Sequence, residues 1–361
     1  MTQLGRREVV AGMAVLPLAG LAATARAEGP SWTKLPTEPY RGKQDDISFI
    51  DAQRGWYGNG AGKLYATTDG GDSWAKVWDQ PGTFIRALGF VDDQVGYLGN
   101  VGTNYYPGVT DTQPLYRTAD GGKSWAPVTV AGVSDVAGIC GIDIVRQRRI
   151  FQGELRDAHI VTAAGRVGGP AMMLRSEDSG TTWRIINLSD VASMILDVKF
   201  HDARTGFVAA SGPAPDGQGD AMILMTADGG VTWKMVWRSG RPMENVWKMS
   251  WPSRDVGYAT VQSYDQAGGN LRVIVKTVDG GKSWRELPLV EAPGIQQFGI
   301  GFVDELRGWV GTRDTGFETR DGGASWTPVA IGRAVNKVRI LPNGGGKRVF
   351  AIGVDVHRLD L

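Results

Sequence analysis

The chain is poor in the residues on which crosslinks, metal sites and membrane spans depend. One cysteine occurs in 361 residues, so no internal disulfide can form and the fold must hold without crosslinks. That thiol, Cys140, lies in the apolar stretch Val136–Val145 with no histidine close in sequence, the setting of a buried inert thiol rather than a nucleophile. The three histidines, His159, His201 and His357, fall in no spacing suited to zinc. His201, beside Asp202, reads as a solvated turn residue, and Gly344-Gly345-Gly346 reads as a turn because it lacks the lysine of a phosphate loop. Neither sign of charge dominates. Lys+Arg number 39 against 38 Asp+Glu, a net +1, which argues against a nucleic-acid partner held through its phosphates. Beyond the N-terminus no segment is apolar for long enough to span a bilayer. Near the start, Arg6-Arg7 precede the mildly apolar run Val9–Ala23 and the small-x-small site Ala25-Arg26-Ala27. Residues 1–27 therefore read as an export signal of the twin-arginine type, with a Sec signal as the alternative. The expected mature domain, 28–361, is periplasmic, or lumenal in a photosynthetic host.

What the chain has in quantity is glycine, 52 residues, and tryptophan, 13, and both recur in register. The pattern Thr-x-Asp-Gly-Gly-x-Ser-Trp occurs six times with small variations: Thr67–Trp74, Thr118–Trp125, Ser176–Trp183, Thr226–Trp233, Thr277–Trp284 and Thr319–Trp326. The aspartates Asp69, Asp120, Asp178, Asp228, Asp279 and Asp321 stand 51, 58, 50, 51 and 42 residues apart. Self-similarity at this period means repeated supersecondary units. Upstream of five boxes lies a hairpin signal, as in ISFIDAQRGWYG at Ile47–Gly58 and IGFVDELRGWVG at Ile300–Gly311. A third strand enters each box and a fourth leaves it. Four strands per repeat without helical periodicity make a propeller blade.

Six boxes mark six blades. The C-terminal KVRIL, RVFAIG and VHRLDL segments supply three strands of a seventh. Its fourth comes from Ser31–Pro36, whose Ser-Trp-Thr matches Ser325-Trp326-Thr327 after the last box. The expectation is an all-β, seven-bladed propeller of four-stranded antiparallel blades, closed by the N-terminal strand and forming one domain. Within each box, Asp would bond backbone N–H groups across the turn, the glycines would take positive φ, and the Trp would pack between neighbouring sheets. The boxes thus read as structural fasteners, not as metal or ligand sites.

Asp boxes paired with F-x-D-x-x-x-G-W/Y hairpins, behind a twin-arginine-type leader and in seven blades, resemble the photosystem II assembly and stability factors of chloroplasts and cyanobacteria. The resemblance spans Ser31 to Leu361. It implies a non-enzymatic periplasmic or lumenal scaffold that binds a newly made membrane subunit, with an arginine-rich surface. Arg146, Arg148 and Arg149 are the local cluster that could belong to such a surface, or simply to a solvated strand end. Asp boxes occur equally in sialidases and other glycoside hydrolases. A sialidase site needs three arginines and a Tyr–Glu pair on the inner strands, where only Arg86 stands out.

In an up-and-down blade the loops joining strands two and three share one face with the blade-to-blade connections. Four insertions are expected in those loops of blades two to five: Val101–Pro114, Gly153–Pro170, Ser211–Asp220 and Gln262–Asn270. Long loops on a rigid scaffold are where binding residues accumulate. The candidate binding face therefore holds Tyr105, Tyr106, Arg156, His159, Arg166, Asp216, Tyr264 and Asp265, with Asp157 beside them. The functional expectation is a monomer that binds a protein partner, a membrane-complex subunit, with no cofactor, no metal and no nucleic acid.

Overall fold

The computed structural model describes residues 31–361 apart from 152, 215–218, 266–268, 270, 293 and 342–346. The export signal, Asp216 and Gly344–Gly346 lie outside the described residues. Seven separate sheets each hold four antiparallel strands. We number blade one from Gln44–Phe49 to Ala75–Asp79, and blades two to six start at Ile85, Gly141, Met194, Glu244 and Gln297. Blade seven takes Lys337–Ile340, Arg348–Ile352 and Val356–Asp360 from the C-terminus. Its outer strand is Thr33–Lys34, paired with Arg358 and His357. Thr33–Lys34 thus completes the last blade, whose inner strand touches the inner strands of both blade six and blade one. Among the described residues the sole helix is a 3-10 turn at Val133–Asp135.

The repeat motif is explained by how blades touch. In three blades the Phe that closes the inner hairpin strand stacks on an aromatic ring of the preceding sheet: Phe49 on Phe350 at 4.2 Å, Phe90 on Trp56 at 3.7 Å, Phe302 on Tyr258 at 3.6 Å. Each such pair adds about 0.5–1.5 kcal/mol beyond its buried area. The glycine six residues later must let that ring lie flat on the hairpin. A Cβ at Gly308 would stand 2.4 Å from the Phe302 ring, so no larger residue fits. The box Trp closes the same layer, with Trp125 6.0 Å from Phe90 and packed with Leu64 of the preceding blade.

Within the boxes the hydrogen bonding is self-contained. Asp120 Oδ2 accepts from Ser124 Oγ at 2.6 Å, and Oδ1 accepts from Thr118 Oγ1 at 2.8 Å and from the backbone N–H of Ser124 at 3.0 Å. Thr118 Oγ1 in turn accepts from Gly122 N at 2.9 Å. Asp69, Asp178, Asp228, Asp279 and Asp321 repeat this with Ser73, Thr182, Thr232, Ser283 and Ser325. The Ser124 hydroxyl, then the Ser124 backbone N–H, hold the Asp120 carboxyl down at about 2. Both oxygens of each box carboxylate serve the turn, as a fastener requires.

Candidate functional site

The inner strands carry an irregularity that the motif pattern hides. In blades one, two, four, five and six the pairing slips near the start of the inner strand, between Gln44 and Asp46, Ile85 and Ala87, Ile195 and Asp197, Val246 and Met249, and Gln297 and Ile300. Such bulges re-aim side chains. The residues skipped by the pairing are Asp45, Arg86, Leu196, Trp247 with Lys248, and Phe298 with Gly299. Their side chains meet across the axis: the Arg86 guanidinium lies 5.7 Å from the Trp247 ring, and Trp247 lies 5.7 Å from Phe298. Arg86 is ion-paired with Asp45, both about 1% exposed. Lys248 donates to the carbonyl oxygens of Leu196 and Cys140 and stands 3.3 Å from Asp197 Oδ1. The inner strands are therefore richer in charge than the motif alignment suggested, because their polar residues fall at bulges and at inward-facing positions outside the F-x-D hairpin.

Deeper along the axis, carboxylates clamp neighbouring blades. Asp46 accepts from Lys337 Nζ at 2.7 Å, from Arg339 at 3.1 Å and from the backbone N–H of Leu88 at 2.8 Å. Asp143 takes Lys199 Nζ at 2.7 Å and Phe200 N at 2.8 Å, and Asp197 takes Met249 N at 3.0 Å. Ser48 and Ser250 make the equivalent bond to Phe90 N and Phe302 N. Burial alone would raise the Asp46 carboxyl, but the Arg339 and Lys337 charges outweigh it and hold it below the ordinary carboxylate range. The mouth on the box side opens into a cavity of about 230 Å³ lined in part by Asp143, Arg146, Arg339 and Phe49.

The third blade departs from expectation. Residues 153–170 do not form a loop between strands two and three. Gly141–Phe151 and Glu154–Gly165 are instead one long hairpin, paired in unbroken register from Gly141↔Ala164 to Phe151↔Glu154. The ladder runs on through the polar segments RQRRIF and ELRD instead of opening into an insertion. Arg156 and His159 consequently stand on the Asp-box face, opposite to the other candidates. His159 is buried and its Nε2 meets Tyr97 Oη at 3.0 Å. Burial holds its imidazole below the usual histidine value. Along the inner edge of this hairpin a groove of about 740 Å³ is lined by Arg117, Arg146, Arg148, Asp157, His159 and Val95. Arg148 pairs with Asp157 at 3.2 Å, and Arg149 donates to the carbonyl of Glu177 at 2.8 Å. Arg117 Nε is buried without a partner among the described residues. Ile150 and Leu155, opposite each other at the tip, are 76% and 61% exposed.

The other candidates do gather on the loop face. Tyr105 and Tyr106 stand edge to face at 4.8 Å, and Tyr106 stacks on Phe84 at 4.5 Å. Burial, with the nearby phenols Tyr105 and Tyr106 adding to it, pushes the Tyr264 hydroxyl up beyond the usual phenol range. Those three tyrosines thus sit together over Arg86. Arg166 is not a surface anchor. It is buried and donates to the carbonyls of Thr103 at 2.8 Å, Gly169 at 2.9 Å and Val101 at 3.1 Å, so it holds the Tyr105–Tyr106 loop in place. Asp265 borders a separate groove of about 320 Å³ with Arg241, Glu244 and Arg272. Cys140 is buried and free, as expected. His201 is not solvated: its ring packs on Trp251 at 4.5 Å and on Phe207 at 5.5 Å. Among the described residues no group of three or more His, Cys, Asp or Glu could hold a metal ion.

No family model matches the chain. No curated protein matches it. Among solved structures it is similar to YCF48 bound to a D1 peptide, at TM-score 0.60 and 17% identity, over 92% of this chain and 95% of that one. It is similar also to YCF48 from Cyanidioschyzon merolae, at TM-score 0.60 and 15% identity, over 91% and 98%. A GH74 xyloglucanase from Xanthomonas campestris matches at TM-score 0.59 and 14% identity, over 90% of this chain and 52% of the enzyme. At these identities the likeness is one of fold. The protein is a seven-bladed β-propeller.

Proposed function

We propose that the protein is a non-catalytic scaffold, exported from the cytoplasm, that holds a segment of a protein partner, a membrane-complex subunit in the manner of the photosystem II assembly and stability factors. The observation that carries this reading is the arginine-lined groove beside the long hairpin of blade three. Arg117, Arg146 and Arg148 line it together, and Arg146 has no carboxylate partner among the described residues. Guanidinium groups so placed would pair with carboxylates of an acidic segment in bidentate fashion. The exposed Ile150 and Leu155 at the tip give that segment an apolar contact. The likeness in fold to a YCF48 bound to a D1 peptide supports the same mode of action.

The test is capture with the whole protein, tagged at its C-terminus, from detergent-solubilised membranes of its host. A defined subunit recovered in stoichiometric amount, and bound about 10–100-fold more weakly by Arg146→Glu/Arg148→Glu, would support the reading. Undiminished capture by that variant would remove the groove from the proposal.

A glycoside hydrolase is the second reading, favoured by the xyloglucanase likeness, of which this chain spans about half. Against it, the axial carboxylates Asp45, Asp46, Asp143 and Asp197 each face a cation, whereas a glycosidase acid must keep its proton. Release of reducing sugar from xyloglucan or a sialoside, abolished by a single axial Asp→Asn change, would establish this reading instead.

A further inference from the structure

The loop-side mouth of the channel lies on the face opposite the arginine groove, and three independent features converge there. Bulges in five of the seven inner strands aim Asp45, Arg86, Leu196, Trp247 and Phe298 to one place. The retention of the same irregularity in five blades, at their axial ends, marks a built site rather than a packing accident. Donors there lack acceptors. Arg86 Nε and Trp247 Nε1 are buried without a partner among the described residues. Charge is also unbalanced. Among the described residues the carboxylates paired with Lys43, Arg86 and Lys248 are Asp45 and Asp197, and Asp45 is already engaged by Arg86, leaving Lys43 Nζ 4.0 Å away from it.

Lys43 is the exposed member of this set. Its side chain is 24% accessible, against 1% for Arg86 and 4% for Lys248, and its ammonium lies 5.8 Å from the Phe298 ring. On the same face Tyr105 and Tyr264, which are exposed, and half-buried Tyr106 lie near Arg86. We propose that this mouth binds a small organic carboxylate, its anion taken between the Lys43 ammonium and the tyrosine hydroxyls, with Arg86 behind and the body of the molecule against Phe84, Trp247 and Phe298. A monoanion matches the one cation of the Lys43, Arg86 and Lys248 set that Asp45 and Asp197 leave over. The aromatic walls favour a ligand with a flat apolar body over a bare inorganic ion. Burial, and then the neighbouring Arg86 charge, bring the Lys43 ammonium down to about 8, so the unliganded site gives up its proton just above neutral pH and would lose the anion with it.

Titration calorimetry of the whole protein with benzoate, acetate and inorganic phosphate at pH 7 and pH 9 tests this. The expected result is saturable benzoate binding, tighter than acetate or phosphate, and about tenfold weaker at pH 9 than at pH 7 as Lys43 deprotonates. Lys43→Met should weaken it about tenfold or more, since a charge-assisted contact is lost. Lys43 makes no bond that the fold requires, so the variant should melt as cooperatively as the parent. Tyr106→Phe removes one hydroxyl and keeps the ring stacked on Phe84, and should weaken binding about threefold. Absence of binding by any carboxylate up to tens of millimolar, unchanged affinity in Lys43→Met, or preference for phosphate would each overturn the proposal. The arginine-groove reading is untouched by any of these outcomes, and charge reversal at Arg146 and Arg148 should leave benzoate binding unchanged.

Discussion

Replacing Asp46 by asparagine probes how the propeller is locked where its two ends meet. Asp46 lies on the inner strand of blade one, yet its carboxylate bonds Lys337 and Arg339 of blade seven and the Leu88 N–H of blade two. It is fully buried, as is Lys337. Asn retains the shape and one acceptor, so the backbone bond to Leu88 survives while the charge does not. Removing one partner of a buried ion pair costs about 3–5 kcal/mol, because the remaining charge is left without compensation. The lower end applies if Lys337 escapes by releasing its proton, and Arg339, 34% accessible, turns toward water. A large part of a typical domain's stability would then depend on one oxygen.

The assay is urea unfolding of the parent, Asp46→Asn, Lys337→Met and the double variant, followed by tryptophan fluorescence. The double variant should recover about 1–3 kcal/mol relative to the sum of the singles, since Met at 337 no longer needs the carboxylate. A pH series adds a second readout. Asp46 titrates below its unfolded value, so its contribution is complete above about pH 4 and is lost as the pH falls through the folded value. Asp46→Asn should flatten that acid limb. A loss under 1 kcal/mol in the single variant, or strict additivity in the double, would refute the idea that this cluster locks the seam.

Two further changes test the blade fasteners and the blade contacts. Asp120→Ala removes the acceptor for Ser124, Thr118 and two backbone N–H groups, and should cost about 1–2 kcal/mol in urea unfolding at pH 7. Because the Asp120 carboxyl is held at about 2, the difference between variant and parent should persist down to about pH 4 and shrink only as the pH falls toward 2. His201, pressed between Trp251 and Phe207, is brought down to about 4 by burial and then by the Lys199 and Arg254 charges. A base whose folded value is depressed favours folding above its unfolded value, near 6.5, and loses that advantage as the pH falls toward 4. The parent should lose about 1–2 kcal/mol over that window, after allowance for partial exposure, and His201→Phe should abolish the slope. A His201 imidazole titrating by NMR near 6.5 would contradict the packing argument.

The repeat makes most of the fold legible in the sequence. The third strands Leu115–Thr118 and Met172–Ser176 appear in the structure with the bounds that the box phase implies, and Thr33–Lys34 joins Val356–Asp360 as the Ser-Trp-Thr match required. Such features are local and repeated six times, so each copy corrects the others. Blade three broke the phase. Its first two strands carry RQRRIF and ELRD where blades one, two, four and six carry the F-x-D turn, and without that marker a long ladder reads as a loop. Period alone cannot distinguish an extended hairpin from an insertion when both are polar and aperiodic.

The candidate sites were harder to read for a different reason. A bulge is a change in pairing between two strands, and neither strand records it by itself. Arg86 is visible as an arginine on an inner strand, but nothing local indicates that it meets Trp247 of blade five, 161 positions along the chain. The tyrosines were found because loop length and residue type already pointed to them. Arg166, chosen on the same grounds, proved to be a brace for their loop. The distinction lies in what each side chain meets: Arg166 spends its donors on the carbonyls of Val101, Thr103 and Gly169, while Arg86 Nε and Trp247 Nε1 keep theirs unspent at the axis. A propeller places its innermost residues from all blades around a single point, so a small sequence irregularity repeated in several blades accumulates there as one site. That geometry is why the bulged residues, rather than the conserved-looking boxes, are where recognition at the channel should be sought.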